Sequence, residues 1–344
     1  MTILDVLQAR RRIAPHIRRT PLVKSHWLSD LAGADVALKL ESLQVSSSFK
    51  ARGAFNAIIA RRERAASPST APSAPSSTPS PTPPSTPPST PPSTLLVTAS
   101  AGNHGRALAA AAEAFGLKLV VFTPADAPHT KLSAIRRHGA DLRAEGCNYE
   151  DAERRAKAFA RSEGAEWLSP YSDPDVIAGA ATVALEIFED APDTDVVVVP
   201  VGGGGLIAGV AEAASHLSPD ARVIGVEVEA SCPFRTSLDA GRLVHVVVGP
   251  TLADGLAGNP DPDTLTFAPI QRFVDHIVTV GEEDLAAAVA GLASQEHLVV
   301  EGAGAAGVAA LIGARLAGID GRVTIVITGG NIEGGQLKRL LMGS

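Results

Sequence analysis

The chain contains few cysteines for its 344 residues, and this scarcity limits its covalent cross-links and its metal chemistry. Its two cysteines, Cys147 and Cys232, are far apart and belong to no Cys-x-x-Cys pair. A disulfide framework or a thiolate zinc site needs several cysteines at short spacings. The sequence therefore predicts no metal site, two ordinary thiols and a reducing compartment such as the cytoplasm.

Positive charge is also scarce. There are 30 lysines and arginines against 37 aspartates and glutamates, giving a formal charge of -7 and a pI near 5.7. The short basic run "RRRIAPHIRR" has its arginines spaced like the polar face of a helix. Nucleic acid is therefore not an expected partner. The N-terminal stretch "MTILDVLQARRRIAP" lacks the apolar core of an export signal and predicts an amphipathic helix.

No apolar run is long and uninterrupted enough to predict a membrane span. The best candidate, "VVVVPVGGGGLIAGVAEAA", approaches the roughly 20 residues that a span requires but contains a proline and four consecutive glycines. This pattern instead predicts a buried strand, a glycine loop and a helix. No membrane partner is expected.

Strand-like and helix-like segments alternate along the chain. Apolar runs such as "VALKLE", "LKLVVFTP" and "RVIGVEVE" alternate with alanine-rich stretches such as "GRALAAAAEAFG". Alternation of this kind predicts an α/β fold with largely parallel, buried strands, and the length favours more than one sheet.

One segment does not fit this pattern. Residues 66–94 are almost entirely Pro, Ser, Thr and Ala and cannot bury enough apolar surface to offset the entropy of ordering. We predict a disordered insert that expands a loop between a helix and a strand. A docking site for a partner that recognises Pro-x-x-Pro is the alternative interpretation.

A single lysine stands out in "VSSSFKARGAFNAI", residues 45–58. A helix starting near Ser48 would hold Lys50 in its first turn beside a mostly apolar face. The helix dipole and burial would both lower the pKa of such an amine, leaving a nucleophile able to form a Schiff base. From this stretch alone, a surface lysine remains the default interpretation.

A run of four glycines follows the most apolar strand. Residues 202–205 let the backbone fold tightly around a phosphate at a helix N-terminus. The same run matches G-x-G-x-x-A as Gly203, Gly205 and Ala208, and either Glu227 or Glu229 could be the acidic residue about twenty positions on. A nicotinamide-dependent oxidoreductase is therefore an alternative.

Three other segments combine small or polar residues with a helix start or strand end. "SAGNHG", residues 100–105, follows a strand and suits a carboxylate or the edge of a ring. "ITGGN" places Thr328 where α/β proteins bind ligands. Glu301 precedes a helix of very small residues, whose glycines are explained either by close packing or by a ligand.

Taken together, these motifs resemble the fold-type II pyridoxal phosphate enzymes, and most closely their threonine/serine dehydratase and serine racemase branch. Eight motifs occur in the family's order and cover the chain except for the Pro/Ser/Thr-rich insert. The resemblance implies a tryptophan synthase β-like fold in which two open-sheet α/β domains enclose the active site. The implied large domain spans residues 1–65 and 173–344, and the small domain, residues 95–172, carries the substrate loop.

The resemblance also implies the roles of individual residues. Lys50 would be catalytic and would carry pyridoxal 5'-phosphate as a Schiff base. The other cofactor-binding residues would be Phe49, Asn103, Gly202, Gly203, Gly204, Gly205, Leu206, Glu301 and Thr328. The substrate carboxylate would meet the loop formed by Ser100, Ala101, Gly102, Asn103 and His104.

The implied activity is a dehydratase that converts L-threonine to 2-oxobutanoate and ammonia, or L-serine to pyruvate and ammonia. Racemases of this branch carry a serine where this chain has Ala101, which favours the dehydratase. Dehydration of 3-hydroxyaspartate and racemisation of serine remain the alternatives. Some relatives bind a divalent cation through the residue that corresponds to Glu227 and an acidic side chain a few residues later. This chain has no acid at that later position in "VEASCPF", which leaves Glu229 as the alternative ligand. A homodimer or homotetramer is implied.

Overall fold

The computed structural model describes residues 1–66, 95–316 and 318–343. The predicted disordered insert, residues 66–94, lies outside the described residues except for Ala66. Every helix within the described ranges is too short or too polar to cross a lipid bilayer.

The described residues form strands and helices in alternation, as the sequence predicted. The strands are β1 (Leu22–Lys24), β2 (Asp35–Leu40), β3 (Leu96–Ala99), β4 (Leu119–Pro124), β5 (Asp141–Gly146), β6 (Glu166–Trp167), β7 (Val196–Pro200), β8 (Arg222–Val228), β9 (His276–Val280) and β10 (Arg322–Ile327). The helices are α1 (Ile3–Ile13), α2 (His26–Ala32), α3 (Lys50–Ala66), α4 (Asn103–Ala114), α5 (His129–Arg136), α6 (Tyr149–Glu163), α7 (Pro174–Asp190), α8 (Gly205–Leu217), α9 (Pro233–Ala240), α10 (Phe267–Phe273), α11 (Glu282–Gln295), α12 (Gly302–Ile312) and α13 (Gly334–Leu341).

The larger sheet has the strand order β1-β2-β10-β7-β8-β9 in the described part of the chain. Its neighbouring strands are parallel except for β1, which pairs antiparallel with β2. Helices α11 and α12 pack on one face, and α7 and α8 pack on the other. Covering both faces explains why its central strands are nearly continuous runs of valine and isoleucine.

The smaller sheet has the order β5-β4-β3-β6, and all of its strand pairs are parallel. Helices α3 and α4 cover one face, and α6 covers the other. Local signals start helices beside both sheets. The Asn148 side chain caps α6, while the Asp173 side chain caps α7 ahead of Pro174. The division of the chain into two domains at the predicted boundaries stays a prediction.

A fully buried ionic network fixes the start of α3 against α7. The Arg52 guanidinium donates to Glu41 at 2.7 Å and to Glu186 at 2.7 Å, and Lys39 donates to Glu186 at 2.6 Å. Both cationic side chains are fully shielded from solvent. Since Arg52 lies two residues after Lys50, the network also limits movement of that lysine.

Candidate active site

A cavity of about 700 Å³ lies between the two sheets, where strands β3, β7 and β10 end. Its lining includes every residue that the sequence assigned to catalysis, cofactor binding or substrate binding. These residues are Phe49, Lys50, Ser100, Ala101, Gly102, Asn103, His104, Gly202, Gly203, Gly204, Gly205, Leu206, Glu301 and Thr328. They come from segments separated by up to 279 positions, so the fold brings the separate motifs into one site.

Lys50 occupies the first position of α3, two residues beyond the predicted helix start near Ser48. Ser46 and Ser47 precede it with φ values of 63° and 58°, a left-handed conformation that is strained for non-glycine residues. Backbone hydrogen bonds hold this strained turn at the end of β10. The Phe49 N–H donates to the Thr328 carbonyl at 3.1 Å, and the Gly330 N–H donates to the Ser47 carbonyl at 3.0 Å.

The Lys50 amine faces the cavity without a carboxylate partner among the described residues. Its Nζ donates to the backbone carbonyl of Pro170 at 2.8 Å. Burial lowers the pKa of this amine to about 8, because removing the ammonium from water disfavours its charged form. Of the two causes that the sequence analysis considered, the helix dipole and burial, burial is the one that lowers this pKa.

The glycine run turns tightly from β7 into α8, as predicted. A Cβ atom on Gly203 would lie 2.3 Å from the Tyr171 ring, so only glycine fits there. Gly204 has a φ of 83°, which glycine adopts without strain. The turn leaves the first N–H groups of a 13-residue helix facing the cavity, an arrangement suited to an anion such as phosphate.

His104 is buried in the cavity wall, and neither of its ring nitrogens has a hydrogen-bond partner in the described residues. Burial first, and then the charge of Lys50, lower the pKa of this imidazole well below its usual value. The ring is therefore neutral at pH 7. An unpaired buried polar group is costly, so these nitrogens are available to a ligand.

Glu301 lies deep in the cavity, in contact with the "ITGGN" strand end. Asn103 Nδ2 donates to its carboxylate at 2.5 Å. Burial raises the pKa of Glu301 to about 7. A Cβ on Gly329 would lie 2.1 Å from the Glu301 carboxylate, so this glycine makes room for the acid. The Thr328 hydroxyl makes one long contact, 3.4 Å to the Ala303 carbonyl, and so retains hydrogen-bonding capacity.

The acidic residues considered for a dinucleotide or a metal lie outside the cavity. Glu227 is fully buried and accepts hydrogen bonds from the backbone of Phe234 at 2.9 Å and Arg235 at 2.7 Å. Glu229 is exposed and pairs with Arg315 at 3.6 Å. Both carboxylates are therefore engaged by other groups and do not line the cavity. Within the described ranges, no three His, Cys, Asp or Glu side chains form a group that could hold a metal ion.

The structure also adds residues that the sequence analysis did not assign to the site. The Pro170 carbonyl contacts Lys50, and the Tyr171 ring covers Gly203. Arg106 and Asn331 also line the cavity. A backbone carbonyl carries no residue-type signal. Asn331 lies inside the "ITGGN" motif, which was noted for Thr328. Arg106 follows the "SAGNHG" motif directly, so its position in the first turn of the next helix was the available signal.

Comparison with known proteins identifies the group to which this arrangement corresponds. A family described as "Pyridoxal-phosphate dependent enzyme" matches residues 13–329. The L-threonine ammonia-lyase of Thermotoga maritima is 39% identical, across 99% of this chain and 78% of that protein. A solved threonine deaminase from T.th. superposes with a TM-score of 0.80 at 34% identity, over 97% of this chain and 99% of the other. Maize serine racemase gives a TM-score of 0.85 at 28% identity, over 99% and 97%.

Proposed function

Because this chain belongs to the family of pyridoxal-phosphate dependent enzymes, we propose that it is an ammonia-lyase of hydroxy amino acids. It converts L-threonine to 2-oxobutanoate and ammonia, or L-serine to pyruvate and ammonia. The sequence-based predictions of family, fold-type II architecture and cofactor are confirmed. The observation that carries the proposal is a partly buried lysine, whose pKa is lowered to about 8, in the same cavity as a glycine turn suited to an anion.

The residues of the cavity fit pyridoxal phosphate. Lys50 supplies an amine that can bond covalently to the aldehyde, and the turn at residues 202–205 supplies backbone N–H groups for the phosphate. The Thr328 hydroxyl would face the ring nitrogen, and Asn103 would donate to the phenolic oxygen. Phe49, Leu206 and Glu301 would complete the cofactor site. The bound cofactor supplies an electron-withdrawing ring that stabilises negative charge developing on the substrate α-carbon.

The chain's own residues bind the substrate and move its protons. The N-terminus of α4 and the Ser100 hydroxyl bind the substrate carboxylate, with the neutral His104 ring beside them. Lys50 then accepts the α-proton at Nζ, since a pKa of about 8 leaves a useful fraction of the amine uncharged near neutral pH. The β-hydroxyl leaves as water, and a later water molecule releases ammonia. The atoms of L-threonine are therefore conserved in 2-oxobutanoate and ammonia.

Release of 2-oxo acid tests this proposal directly. Purified protein loaded with pyridoxal phosphate is mixed with L-threonine or L-serine, without an added nucleophile, and keto acid is measured. We expect release from at least one substrate and no release by Lys50→Ala. Absence of keto acid with both substrates, while substrate still changes the cofactor absorption, would show that a different leaving group or acceptor is the natural one.

Two alternatives act on the same class of substrate, and product analysis separates them. Ala101 offers only a methyl group at the position where racemases of this branch carry a serine, so we expect no D-serine from L-serine. Faster keto-acid release from 3-hydroxyaspartate than from L-threonine would reassign the substrate. The nicotinamide alternative is disfavoured because the Glu227 carboxylate accepts from the backbone N–H groups of Phe234 and Arg235, and Glu229 pairs with Arg315.

We propose a cytoplasmic enzyme that assembles as a homodimer or homotetramer. Static light scattering on the holoenzyme measures the molar mass, and a mass equal to one chain of 35.2 kDa would reject the assembly.

A further inference from the structure

The side chain of Asn331, just beyond β10, connects three segments of the active site. Its Oδ1 accepts a hydrogen bond from Arg106 of α4. Its Nδ2 donates to the Ser46 carbonyl at 3.0 Å, in the strained turn before Lys50. The same nitrogen donates to Asn103 Oδ1 at 2.6 Å. One amide group therefore joins the turn that precedes the catalytic lysine to the loop that carries Asn103.

The chemistry of Arg106 determines which way these amides are oriented. A guanidinium group donates hydrogen bonds and accepts none, so Asn331 must turn its oxygen toward Arg106. Both of its N–H bonds are then directed at the Ser46 carbonyl and the Asn103 oxygen. Since the oxygen of Asn103 is occupied in this way, its amide nitrogen is the atom that faces Glu301 and the cavity. Asn103 therefore presents its N–H group, and not its oxygen, to Glu301 and the cavity.

Arg106 forms no ion pair within the described residues. The guanidinium is half-buried in the cavity wall, and the hydrogen bond that it donates goes to a neutral amide. Burial first, and then the charge of Arg137, lower its pKa, and only Glu301 acts in the opposite direction. A half-buried cation without a carboxylate partner is costly, which points to a role in the site.

We propose that Arg106 and Asn331 are positioning residues. They orient Asn103 so that its N–H group faces the cavity, and they hold the turn before Lys50 beside it. This inference rests on the proposed function, since the acceptor for Asn103 would be the phenolic oxygen of pyridoxal phosphate. Arg106 determines the orientation of the Asn331 amide, and Asn331 in turn determines the orientation of the Asn103 amide. Neither residue contacts the reacting atoms of the substrate in this scheme.

The amide orientation is tested in the cofactor-free protein. The chain has five asparagines, so selective ¹⁵N-asparagine labelling gives a side-chain NMR spectrum that single substitutions can assign. Arg106→Lys retains a donor-only group and should leave the Asn103 and Asn331 resonances near their positions. Arg106→Glu presents only acceptors and should move both pairs of resonances. Arg62→Glu is the matched control, because Arg62 donates to the Phe115 carbonyl at 3.2 Å outside the cavity.

Unchanged Asn103 resonances in Arg106→Glu would overturn the proposal. If Arg106→Glu does not fold, Arg106→Met removes the donor without adding a charge and should also shift both amides. In the loaded enzyme, we expect Arg106→Glu to alter the absorption spectrum of the bound cofactor and to lower kcat by on the order of 100-fold. Arg106→Lys should leave the absorption spectrum and kcat close to the wild-type values. If the wild-type enzyme releases no keto acid, the proposed function fails, whereas the amide experiment still decides the orientation.

Discussion

The amine of Lys50 donates a 2.8 Å hydrogen bond to the carbonyl of Pro170, in the wall of the cavity between the two sheets. Lys50 begins α3, whereas Pro170 follows β6 at the edge of the smaller sheet. A backbone carbonyl orients the amine and carries no charge that would stabilise the ammonium form. This contact therefore leaves the lowered pKa caused by burial in place.

The first prediction concerns the rate of cofactor uptake. Only the uncharged amine attacks an aldehyde, and the pKa of Lys50 is about 8. The rate at which cofactor-free protein binds pyridoxal phosphate should therefore rise between about pH 7 and 9, with its midpoint at about pH 8, and level off above that range. Stopped-flow absorbance measures this rate, and Lys50→Arg should show no covalent uptake. A rate that keeps rising until above pH 10 would contradict the lowered pKa.

The second prediction concerns stability of the cofactor-free protein. Lys50 has a folded pKa of about 8 and an ordinary value of 10.5, so the unfolded chain binds its proton more tightly. This difference costs about 3 kcal/mol below pH 8, and the cost vanishes as the pH rises past 10.5. Lys50→Met should raise the free energy of unfolding at pH 7 by about 2 kcal/mol, after loss of the roughly 1 kcal/mol hydrogen bond to Pro170.

Urea unfolding at several pH values checks this second prediction. The gain from Lys50→Met should shrink steadily between pH 8 and 10. Lys24→Met is the matched control, because Lys24 is exposed and pairs with Asp35 at 2.8 Å. Its substitution should change stability by less than about 1 kcal/mol. A gain for Lys50→Met that stays constant with pH would show that packing, not charge, is responsible.

The third prediction concerns the glycine turn. Gly203→Ala would place a Cβ 2.3 Å from the Tyr171 ring and force the ring or the turn to move. Overpacking of this kind costs about 1–3 kcal/mol. We expect the Kd for pyridoxal phosphate, measured by equilibrium dialysis, to rise by roughly 10- to 100-fold.

A control glycine lies in α13. A Cβ on Gly335 would meet no atom within 4 Å, so Gly335→Ala should leave cofactor affinity unchanged. It should also stabilise the protein by up to roughly 1 kcal/mol, since alanine favours a helix over glycine. Equal cofactor affinities for the Gly203 and Gly335 variants would argue against a phosphate site in the turn.

The fourth prediction concerns the buried ionic network. Arg52→Met leaves Glu41 and Glu186 without their main cationic partner in a site that excludes water. Breaking a buried pair from one side costs about 3–5 kcal/mol, so urea unfolding should show a loss of that size. Arg12→Met is the comparison. Arg12 bonds to the exposed Glu63 at 2.7 Å, and its loss should cost at most about 1 kcal/mol. Similar losses for both variants would contradict the assigned burial.

The sequence predicted those parts of the site that residue type and local spacing encode. Lys50, the glycine turn and Thr328 each lie at a helix start or a strand end, where the pattern of apolar residues indicates the position. The link from Arg106 through Asn331 to Asn103 joins residues up to 228 positions apart and depends on register between separate segments. The contact with Pro170 uses backbone atoms, which no residue pattern encodes.

Glu227 illustrates a second limit of sequence reasoning. Its spacing from the glycine run fits a ribose-binding acid, yet its carboxylate accepts backbone hydrogen bonds at the start of α9. Burial raises its pKa to about 7. Whether a carboxylate ends a strand facing a ligand or a neighbouring helix depends on the following loop, and that loop has no regular pattern.

The peptide from Pro170 to Tyr171 contacts the site at two points. The Pro170 carbonyl accepts from the Lys50 amine, and the Tyr171 ring covers Gly203. The Tyr171 hydroxyl accepts from the backbone N–H of Asp261 at 3.0 Å. The same short segment therefore contacts both the catalytic lysine and the glycine turn. A substitution at Pro170 or Tyr171 that displaces this segment therefore changes the surroundings of the Lys50 amine and of the glycine turn together, so a directed-evolution library confined to these two positions would alter both at once.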